Sequence, residues 1–380
     1  MTERLADRVI GHRRGGPGRT LVFVGSLHGN EPAGVDALRR VFRRLPPADE
    51  LHGEVLAVVG NVTALGRGVR FVDSDMNREW WPEAIDRDHP GSTRVEDRER
   101  RELLDAIRPA FRRADGPPIV VDFHTTSGDT PPFLTVGDTL RNRRFAEQFP
   151  LPMVLGLEEQ LAATFLEYVN NRGCVTMGCE GGRHDSPEAV DRLEAVAWIA
   201  LTAAGILHRM HVPGPDPETR LREAARGQPR VVEIRYRHEI PSGRTLIMEP
   251  GFRSFQPVDA GQRLGSWGDG RPVLAPENGR LLMPLYQNRG DDGFFLTRDV
   301  RPFWLALSTL LRRLGLDRFA PLLPGVRRHP YIADAVIVDR RVARWYTTEV
   351  FHLLGFRREV TQGRSLILSR RHFDQPSDWS

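Results

Sequence analysis

The feature that most constrains the fold is a regular alternation of short apolar runs and helical patterns between residues 20 and 207. The apolar runs are rich in valine, leucine and phenylalanine, which is typical of strands buried on both faces. Strands are predicted at residues 20–26, 54–59, 118–123, 132–136 and 173–179. Helices are predicted at residues 32–44, 95–113, 139–148, 158–170 and 186–207. This alternation predicts an α/β fold with a mostly parallel twisted sheet flanked by helices.

The chain changes character after residue 208, and its 380 residues exceed one ordinary domain. Residues 209–228 are rich in proline, glycine and charge, which indicates a linker. Between 229 and 300, turn signals such as Pro-Ser-Gly and Glu-Pro-Gly separate short strand patterns, which predicts a small β domain. Residues 301–380 hold 14 arginines against 7 acidic residues and mix helix and strand patterns. We therefore predict an α/β domain at 1–208, then the linker and the β domain, and a basic α+β extension at 301–380.

Composition excludes several classes of protein. The chain contains no lysine, so Schiff-base catalysis is impossible. Its two cysteines, Cys174 and Cys179, flank a predicted buried strand and are interpreted as core thiols rather than as a disulfide. No run of about eighteen apolar residues occurs and the first residues lack an apolar signal-peptide core, so a cytoplasmic protein without membrane contact is expected. The net charge of +4 is too small to indicate a nucleic-acid partner.

Two predicted strands end at residues that can bind a metal ion. His28 and Glu31 lie in the loop after the first strand, and a glycine between them allows the loop to bend. His124 directly follows the strand at 118–123, and the carboxyl ends of parallel strands form one edge of a sheet, where ligands bind. Two imidazoles and one carboxylate are natural zinc ligands that leave one coordination position for water. Asp122 could fix the tautomer of an imidazole, or it could cap the end of the strand.

Two further groups of polar residues lie near the same predicted edge. Arg70, Asn77 and Arg78 occur close together in one loop, and arginine binds carboxylates with two parallel hydrogen bonds. On its own, however, this loop is better explained as a solvated surface cluster of charges. Glu180 ends the last predicted strand and precedes two glycines, so it is either a general base near the metal or an exposed loop glutamate.

Four segments together resemble one enzyme family. GSLHGNEPAG, VRFVDSDMNREW, VDFHTTSG and the strand-end Glu180 occur in the order found in the succinylglutamate desuccinylase/aspartoacylase family, whose members are related to the zinc carboxypeptidases. The resemblance spans roughly residues 19–300, because FRSFQPVDAGQRLGSWGDG is similar to the family's C-terminal module. Residues 301–380 lie outside this resemblance.

The resemblance implies a zinc-dependent deacylase that hydrolyses the amide bond of an N-acyl amino acid or a similar small carboxylate. His28, Glu31 and His124 would bind one Zn²⁺ per chain. Glu180 would act as the general base that activates water and then as the acid that protonates the leaving nitrogen. The expected partner is therefore a small molecule rather than a macromolecule.

The resemblance also implies how the substrate is held. Asn77 and Arg78 would grip its carboxylate, and Arg70 would polarise the scissile carbonyl and stabilise the oxyanion. The sequence departs from the family pattern at two other positions. Arg172 is the nearest candidate for a further arginine of the family, and Tyr286 for its C-terminal tyrosine. These departures leave the acyl group and the amino acid of the substrate open.

Two other functions are compatible with the sequence. A metallocarboxypeptidase would use the same zinc site, but in the family the β domain is thought to exclude large peptides. The arginine pairs of the extension could instead bind nucleic acid or an anionic membrane, although a solvated protein face is favoured. His184 either assists the site or is an exposed loop histidine. The aromatic residues of the extension are predicted to form its core. They are Phe303, Trp304, Trp345, Tyr346, Phe351 and Phe356.

Overall fold

The computed structural model describes residues 7–81, 84–85, 92–287, 290–332, 335–339, 342, 348–362 and 365–370. The strands are β1 (Val9–Arg14), β2 (Gly16–Gly25), β3 (His52–Val59), β4 (Ile119–Thr126), β5 (Phe133–Val136), β6 (Met153–Leu155), β7 (Val175–Arg183), β8 (Val231–Glu239), β9 (Leu246–Met248), β10 (Pro257–Val258), β11 (Arg263–Trp267), β12 (Pro272–Leu274), β13 (Gly279–Leu282), β14 (Asp292–Asp299), β15 (Val326–Arg328), β16 (Ala335–Asp339), β17 (Phe356–Gln362) and β18 (Ser365–Arg370).

The helices alternate with these strands in the first half of the chain and are sparse in the second. The α-helices are α1 (Ala33–Arg44), α2 (Val62–Arg67), α3 (Val95–Arg112), α4 (Leu140–Ala146), α5 (Leu157–Gln160), α6 (Phe165–Asn171), α7 (Pro187–Ala203), α8 (Pro217–Ala224), α9 (Pro302–Arg313) and α10 (Thr348–Leu353). Short 3₁₀ helices occur at Ala48–Glu50, Met76–Arg78, Arg209–His211 and Leu316–Leu322.

The main sheet contains eleven of the described strands in the order β1-β3-β2-β4-β7-β5-β6-β8-β14-β13-β10. Its centre is parallel, because β2 pairs in parallel with β3 and β4, and β4 with β7. Within residues 1–208 most strand pairs are parallel, as predicted, and the exceptions are β1 with β3 and β5 with β7. The strands predicted as a separate β domain instead include β8, β14, β13 and β10 of the main sheet, where the pairing from β8 to β10 is antiparallel. The fold is therefore a mixed α/β sheet.

Alternate residues of β2 point to opposite apolar layers. Leu21 and Phe23 pack in the core that α1 and α7 cover. Val22 and Val24 pack in the core beneath α3. All four side chains have no exposed surface. Because both faces of the central strands are covered, their polar groups can reach solvent only at the strand ends, which fixes where a site can form.

The stretch predicted as one helix at 158–170 is two short helices. Helix α5 ends at Gln160 and α6 begins at Phe165. Ala163 between them has a φ of 55°, which lies outside the α-helical region. The hydroxyl of Thr164 accepts a hydrogen bond from the backbone N–H of Glu167 and so caps α6. The cap residue explains the new start, which the apolar spacing alone did not predict.

The stretch predicted as a linker contains helix α8. Asp216 accepts a hydrogen bond from the backbone N–H of Thr219, and Pro217 occupies the first turn. Both are ordinary signals for a helix start. Leu221 on this helix is fully buried and packs in the same core as α7. The preceding helix α7 ends at Ala203, four residues earlier than predicted.

Cys174 and Cys179 are both buried free thiols, which confirms their interpretation as core residues. Burial raises the pKa of the Cys179 thiol well above its ordinary value, and the neighbouring carboxylate of Glu180 adds to this rise. Within the described part of the chain, every helix is too short or too polar to span a lipid bilayer.

The extension forms a four-stranded sheet in the order β15-β16-β18-β17, with α9 and α10 packed beside it. Phe351 and Phe356 lie in its core, as predicted. The prediction is wrong for Phe303 and Trp304, which are 66% and 46% exposed. Their helix instead buries its opposite side, where other residues meet the main domain. Trp345 and Tyr346 lie outside the described residues.

One buried ion cluster joins the extension to the main domain. The Arg312 guanidinium on α9 donates to Asp138, with Nη1 2.9 Å from Oδ1. Arg143 donates to the other oxygen of the same carboxylate at 2.8 Å. The side chains of Arg312 and Asp138 are each 1% exposed. Breaking one partner of such a buried pair is costly because it leaves an uncompensated charge, so this cluster fixes α9 on the main domain.

Candidate active site

The loop between β2 and α1 turns sharply and brings His28 against Glu31. Its turn requires glycine at position 29, because a Cβ there would lie 2.0 Å from the carbonyl carbon of Ala64. Ser26 has a φ of 57°, and its hydroxyl donates to the backbone carbonyl of Glu31 at 2.8 Å. As a result, Nδ1 of His28 lies 3.0 Å from Oε1 of Glu31. Both side chains are buried, so this is not a surface pair.

His124 near the end of β4 completes the cluster. Its Nδ1 atom lies 3.1 Å from Oε2 of Glu31, and its ring centroid is 5.1 Å from that of His28. One ligand atom from each of the three residues lies within 4.8 Å of the other two. The donor set is thus two imidazole nitrogens and a carboxylate, which matches the ligands that zinc prefers. These three predicted ligands converge on one point.

The second nitrogen of each histidine faces another carboxylate. Nε2 of His28 lies 3.2 Å from Oδ1 of Asp75, and Nε2 of His124 lies 2.7 Å from Oδ2 of Asp122. These carboxylates favour a proton on Nε2, so the Nδ1 atoms are left to act as ligands. Asp122 has the supporting role that its place two residues before His124 suggested. Asp75 has the same role, which sequence spacing did not predict.

The electrostatics of the cluster keep the Glu31 carboxylate ionised. Burial opposes ionisation of Glu31, but the imidazoles of His28 and His124 lower its pKa well below the ordinary value. Burial also disfavours the charged form of His124, yet Asp122 and Glu31 together raise its pKa well above the ordinary value. Positive charge is therefore stabilised between these groups. A divalent cation is a chemical species that can supply that charge in place of the imidazole protons.

Glu180 lies next to the ligand cluster on the neighbouring strand. In the parallel pairing of β4 and β7 it is in register with His124. Its side chain is buried, and its Oε2 atom has no hydrogen-bond partner among the described residues. Burial raises the pKa of Glu180 to about 8, and Glu31 and Asp122 raise it while His124 and Arg70 lower it. Such a carboxyl group can take up and release a proton near neutral pH, as a general base must.

Arg70 reaches the same pocket from the loop after α2. Its Nη2 atom donates to Oδ2 of Asp75 at 2.9 Å, and its Nη1 atom lies 3.7 Å from Oε1 of Glu31. Burial lowers its pKa, but the carboxylates of Asp75 and Glu31 raise it, with a net rise above the ordinary value. Asp75 thus holds both Arg70 and His28 in place. The guanidinium is a fixed cation beside Glu31 and His28.

Asn77 and Arg78 line the same pocket as Arg70. The side-chain oxygen of Asn77 accepts a hydrogen bond from the backbone N–H of Phe165 at 2.9 Å. Nη2 of Arg78 donates to Oδ2 of Asp292 at 3.1 Å, and Nε of Arg237 donates to the other oxygen of that carboxylate at 2.6 Å. Arg78 therefore shares a carboxylate of β14 with Arg237, which sequence analysis did not foresee.

A buried carboxylate in α3 anchors the loop that carries these residues. Glu96 accepts hydrogen bonds from the backbone N–H groups of Val72, Asp73 and Ser74, at 2.8, 2.9 and 3.3 Å. It also accepts one from the side-chain amide of Asn61 at 3.2 Å and has no exposed surface. Sequence analysis predicted only a helix at 95–113, so it did not foresee this anchor.

Three residues that the sequence left open lie outside the pocket wall. The guanidinium of Arg172 stacks on a tyrosine ring of α6, 3.7 Å from its centroid. The hydroxyl of Tyr286 donates to the backbone carbonyl of Glu249 at 2.9 Å. The Nδ1 atom of His184 lies 2.7 Å from the hydroxyl of Thr125, which does line the pocket. His184 therefore contacts a residue of the pocket wall without lining the pocket itself. Burial lowers the pKa of His184.

The far wall of the pocket comes from the second half of the chain. The lining residues from this part are Met283, Pro284, Leu285, Gln287, Gly290, Asp291, Asp292 and Phe295. Leu161 and Thr164, in the break between α5 and α6, close one side. His28, Glu31 and His124 thus line the same pocket as residues from the second half of the chain. The arrangement suits a small molecule with polar groups near the ligands.

Residues 17–183 match the model of the succinylglutamate desuccinylase/aspartoacylase catalytic domain, which confirms the resemblance found in the sequence. The chain is 31% identical over 114 residues to succinylglutamate desuccinylase from Serratia proteamaculans, covering 30% of this chain and 33% of that protein. It is 40% identical over 62 residues to the enzyme of that name from Pseudomonas paraeruginosa, covering 16% and 19%. The chain thus spans about a third or less of the length of these relatives.

Solved structures match over a larger part of the chain. The succinylglutamate desuccinylase/aspartoacylase from Rhodobacter sphaeroides is 25% identical, with a TM-score of 0.58, and the match covers 77% of this chain and 88% of that one. The product-bound ectoine utilization protein EutE (DoeB) from Ruegeria pomeroyi is 19% identical, with a TM-score of 0.56, covering 76% and 87%. At that identity, the second likeness shows a shared fold.

Proposed function

Because residues 17–183 match the catalytic-domain model of the succinylglutamate desuccinylase/aspartoacylase family, we propose that this chain belongs to that family and is a zinc-dependent deacylase that hydrolyses the amide bond of a small N-acyl amino acid. The observation that carries this proposal is the convergence of three donor groups beside a buried carboxyl group. Those donors are His28, Glu31 and His124, and the carboxyl group is Glu180. A metal-ligand set beside a protonatable group is the minimum that hydrolysis by activated water needs.

The donor set fits zinc by its chemistry. Two imidazole nitrogens and one carboxylate oxygen are a common catalytic zinc set, and the supporting carboxylates of Asp75 and Asp122 orient both rings. When bound, zinc would supply a Lewis acid that polarises the scissile carbonyl and lowers the pKa of a coordinated water. A cation here would also lower the pKa of Glu180 from its raised value, because opposite charges favour the ionised carboxyl group.

Glu180 and Arg70 would carry out the proton and charge steps. Glu180 would take a proton from the attacking water and deliver it to the leaving nitrogen, so that a free amine and a carboxylate are released. Arg70 would donate hydrogen bonds to the carbonyl oxygen as negative charge develops on it. Since Arg70 is already held by Asp75, it need not reorganise during the reaction, which is where such stabilisation has its largest effect.

The amino-acid part of the substrate would bind on the side of Asn77 and Arg78. Arg78 would offer its guanidinium to the carboxylate, sharing it with Asp292 or exchanging one carboxylate for the other. The pocket wall to which Met283, Pro284 and Leu285 contribute would limit how long a substrate can be. This wall favours a small amide over the C-terminus of a long peptide, and so favours a deacylase over a carboxypeptidase.

The test is a hydrolysis screen on protein of measured metal content. N-acetyl, N-formyl and N-succinyl amino acids and a short peptide series would be offered with and without a chelator. The proposal predicts chelator-sensitive release of one free amino acid at about one zinc per chain. Cleavage restricted to peptide C-termini would assign a carboxypeptidase instead. Folded, zinc-loaded protein that turns over none of these amides would contradict the proposal.

A further inference from the structure

Large apolar side chains are exposed mainly in one short part of the extension. Of the fifteen exposed large apolar residues in the described chain, ten lie between positions 303 and 342. They include Leu322 at 78% and Tyr331 at 91% exposure. Scattered single apolar residues are normal on a protein surface, but a concentration of this kind marks an interaction site.

Helix α9 presents a continuous apolar stripe to solvent. Phe303, Leu310 and Leu314 are 66%, 54% and 63% exposed, and their spacing places them on one side of the helix. The opposite side carries Ser308 and Arg312, which are buried against the rest of the protein. The helix is therefore already fixed by its inner side, and the outer stripe has no packing role within the described chain.

The charges beside this stripe have one sign. Residues 301–332 contain six arginines and a single carboxylate, Asp317, which is buried. Arg312 is buried and pairs with Asp138. The other five arginines are exposed, and none forms an ion pair with a described residue. They are Arg301, Arg313, Arg318, Arg327 and Arg328. Positive charge and apolar surface thus occur together.

We propose that this basic apolar face, formed by residues 301–332, docks the protein on the surface of an anionic lipid bilayer. The apolar stripe of α9 would enter the boundary between headgroups and acyl chains, as interfacial helices do. The exposed arginines would contact lipid phosphates, and exposed aromatic residues such as Trp304 and Tyr331 are favoured at that depth. One partner would then contact both the apolar stripe and the exposed arginines of the face.

Two other occupants fit the face less well. In a two-fold contact between copies of this chain, the same patch meets itself, so unpaired arginines would face unpaired arginines. A nucleic acid would satisfy the arginines, but it offers no apolar surface for the aliphatic side chains of Leu310, Leu314 and Leu322. The anionic bilayer accepts both kinds of side chain.

The test is flotation of the full chain with vesicles of phosphatidylcholine alone or mixed with phosphatidylglycerol. The proposal predicts flotation with the mixed vesicles only, weakening as salt rises. Replacing Arg313→Gln together with Arg318→Gln should weaken binding about 25-fold, since each arginine near an anionic surface contributes about fivefold. Replacing Leu310→Ser together with Leu314→Ser should weaken it at least about tenfold.

A matched control uses an exposed pair on the main domain, Met210→Ser with Arg209→Gln, which should float like the wild type. Met210 is 76% exposed, and the side chain of Arg209 is 71% exposed. All four arginine and leucine changes are on the surface, and unchanged thermal unfolding would confirm that the variants fold. The Arg variants keep the test informative if the serine variant unfolds, because they leave the apolar stripe intact.

Four results would overturn the proposal. Wild-type protein that fails to float with phosphatidylglycerol vesicles would do so, as would flotation that both variants retain in full. A dimer in light scattering that Leu310→Ser with Leu314→Ser dissociates would assign the face to a second copy of the chain. Salt-sensitive retention on duplex DNA without vesicle binding would assign it to nucleic acid.

Discussion

The pocket and the basic apolar face differ in whether their arginines have carboxylate partners. In the pocket, Arg70 is held by Asp75 and Arg78 by Asp292, so each guanidinium has a carboxylate within hydrogen-bond distance. On the face, five arginines stand in solvent without an ion-pair partner among the described residues, beside exposed leucines and aromatic rings. The arginines of the pocket thus have carboxylate partners within the described chain, and the five exposed arginines of the face do not.

This difference in ion pairing indicates a different function for each region. Fixing charged groups in a buried pocket costs desolvation, which the hydrogen bonds between them offset, and it leaves little to reorganise when a substrate reacts. An unpaired charge beside exposed apolar surface has no such internal partner and gains from an external one. Changes in the pocket should therefore alter catalysis, whereas changes on the face should alter location and leave turnover intact.

The largest expected effect comes from Glu180→Gln. The amide keeps the size of the side chain but cannot accept the proton of the attacking water, so turnover should fall about 10²–10⁴-fold. Metal content should stay at the wild-type level, because Glu180 is not one of the three converging donors. Steady-state kinetics and metal analysis on the same preparation check both points. A variant that turns over normally would remove Glu180 from the mechanism.

Replacing Arg70→Gln should lower kcat about 10²–10³-fold, as loss of one oxyanion donor does. The matched control is Arg39→Gln, an exposed arginine whose side chain pairs with Asp36 on α1 and lies 56% in solvent. The control should keep wild-type kinetics. If the two variants had the same kcat, the Arg70 guanidinium would have no role in catalysis.

Glu96→Gln should raise KM about tenfold, because the loop that carries the pocket arginines loses an acceptor and shifts. Glu99→Gln is the matched control, since Glu99 is equally buried on the same helix but accepts from the backbone N–H groups of Val62 and Thr63. Both variants should lose thermal stability. Equal KM values for the two would reduce Glu96 to a purely structural residue.

The smallest effect concerns pH. The pKa of Glu180 is about 8 in the folded protein against an ordinary 4.5, so the folded chain holds this proton more tightly than the unfolded chain. Its contribution to stability is therefore present in full below pH 4.5 and is lost as pH rises from 4.5 to 8. In chelator-treated protein, the Tm should fall more between pH 5 and 8 for the wild type than for Glu180→Gln. Parallel Tm curves would contradict the raised pKa.

The parts of the site that could be predicted from the sequence are those that strand ends determine. His28 and Glu31 follow β2, His124 lies near the end of β4 and Glu180 lies on β7. Because these strands are parallel neighbours, residues at their carboxyl ends had to meet at one edge. Local pattern and topology together therefore sufficed to predict that the four central residues meet at one edge, whereas their proposed roles rest on the resemblance to the family.

The rest depends on contacts between distant segments that leave no local pattern. Asp292 reaches Arg78 from β14, 214 residues later. Asp75 reaches His28 across a separation of 47 residues. Phe303 and Trp304 are residue types that are usually buried, but their helix buries its other side. That side carries Arg312, which binds Asp138 of the main domain. Sequence spacing describes the sides of a helix but not which side is covered.

The measurement that tests the central claim most directly is zinc binding by the wild type, Glu31→Gln and Glu180→Gln after chelation and reloading. Glu31 contacts both histidines, so its amide should lower zinc affinity by at least about tenfold and abolish chelator-sensitive turnover. The account predicts about one zinc per chain in the wild type and in Glu180→Gln, and little in Glu31→Gln. Wild-type protein that binds no zinc, or Glu31→Gln protein that binds it as tightly as the wild type, would contradict the account.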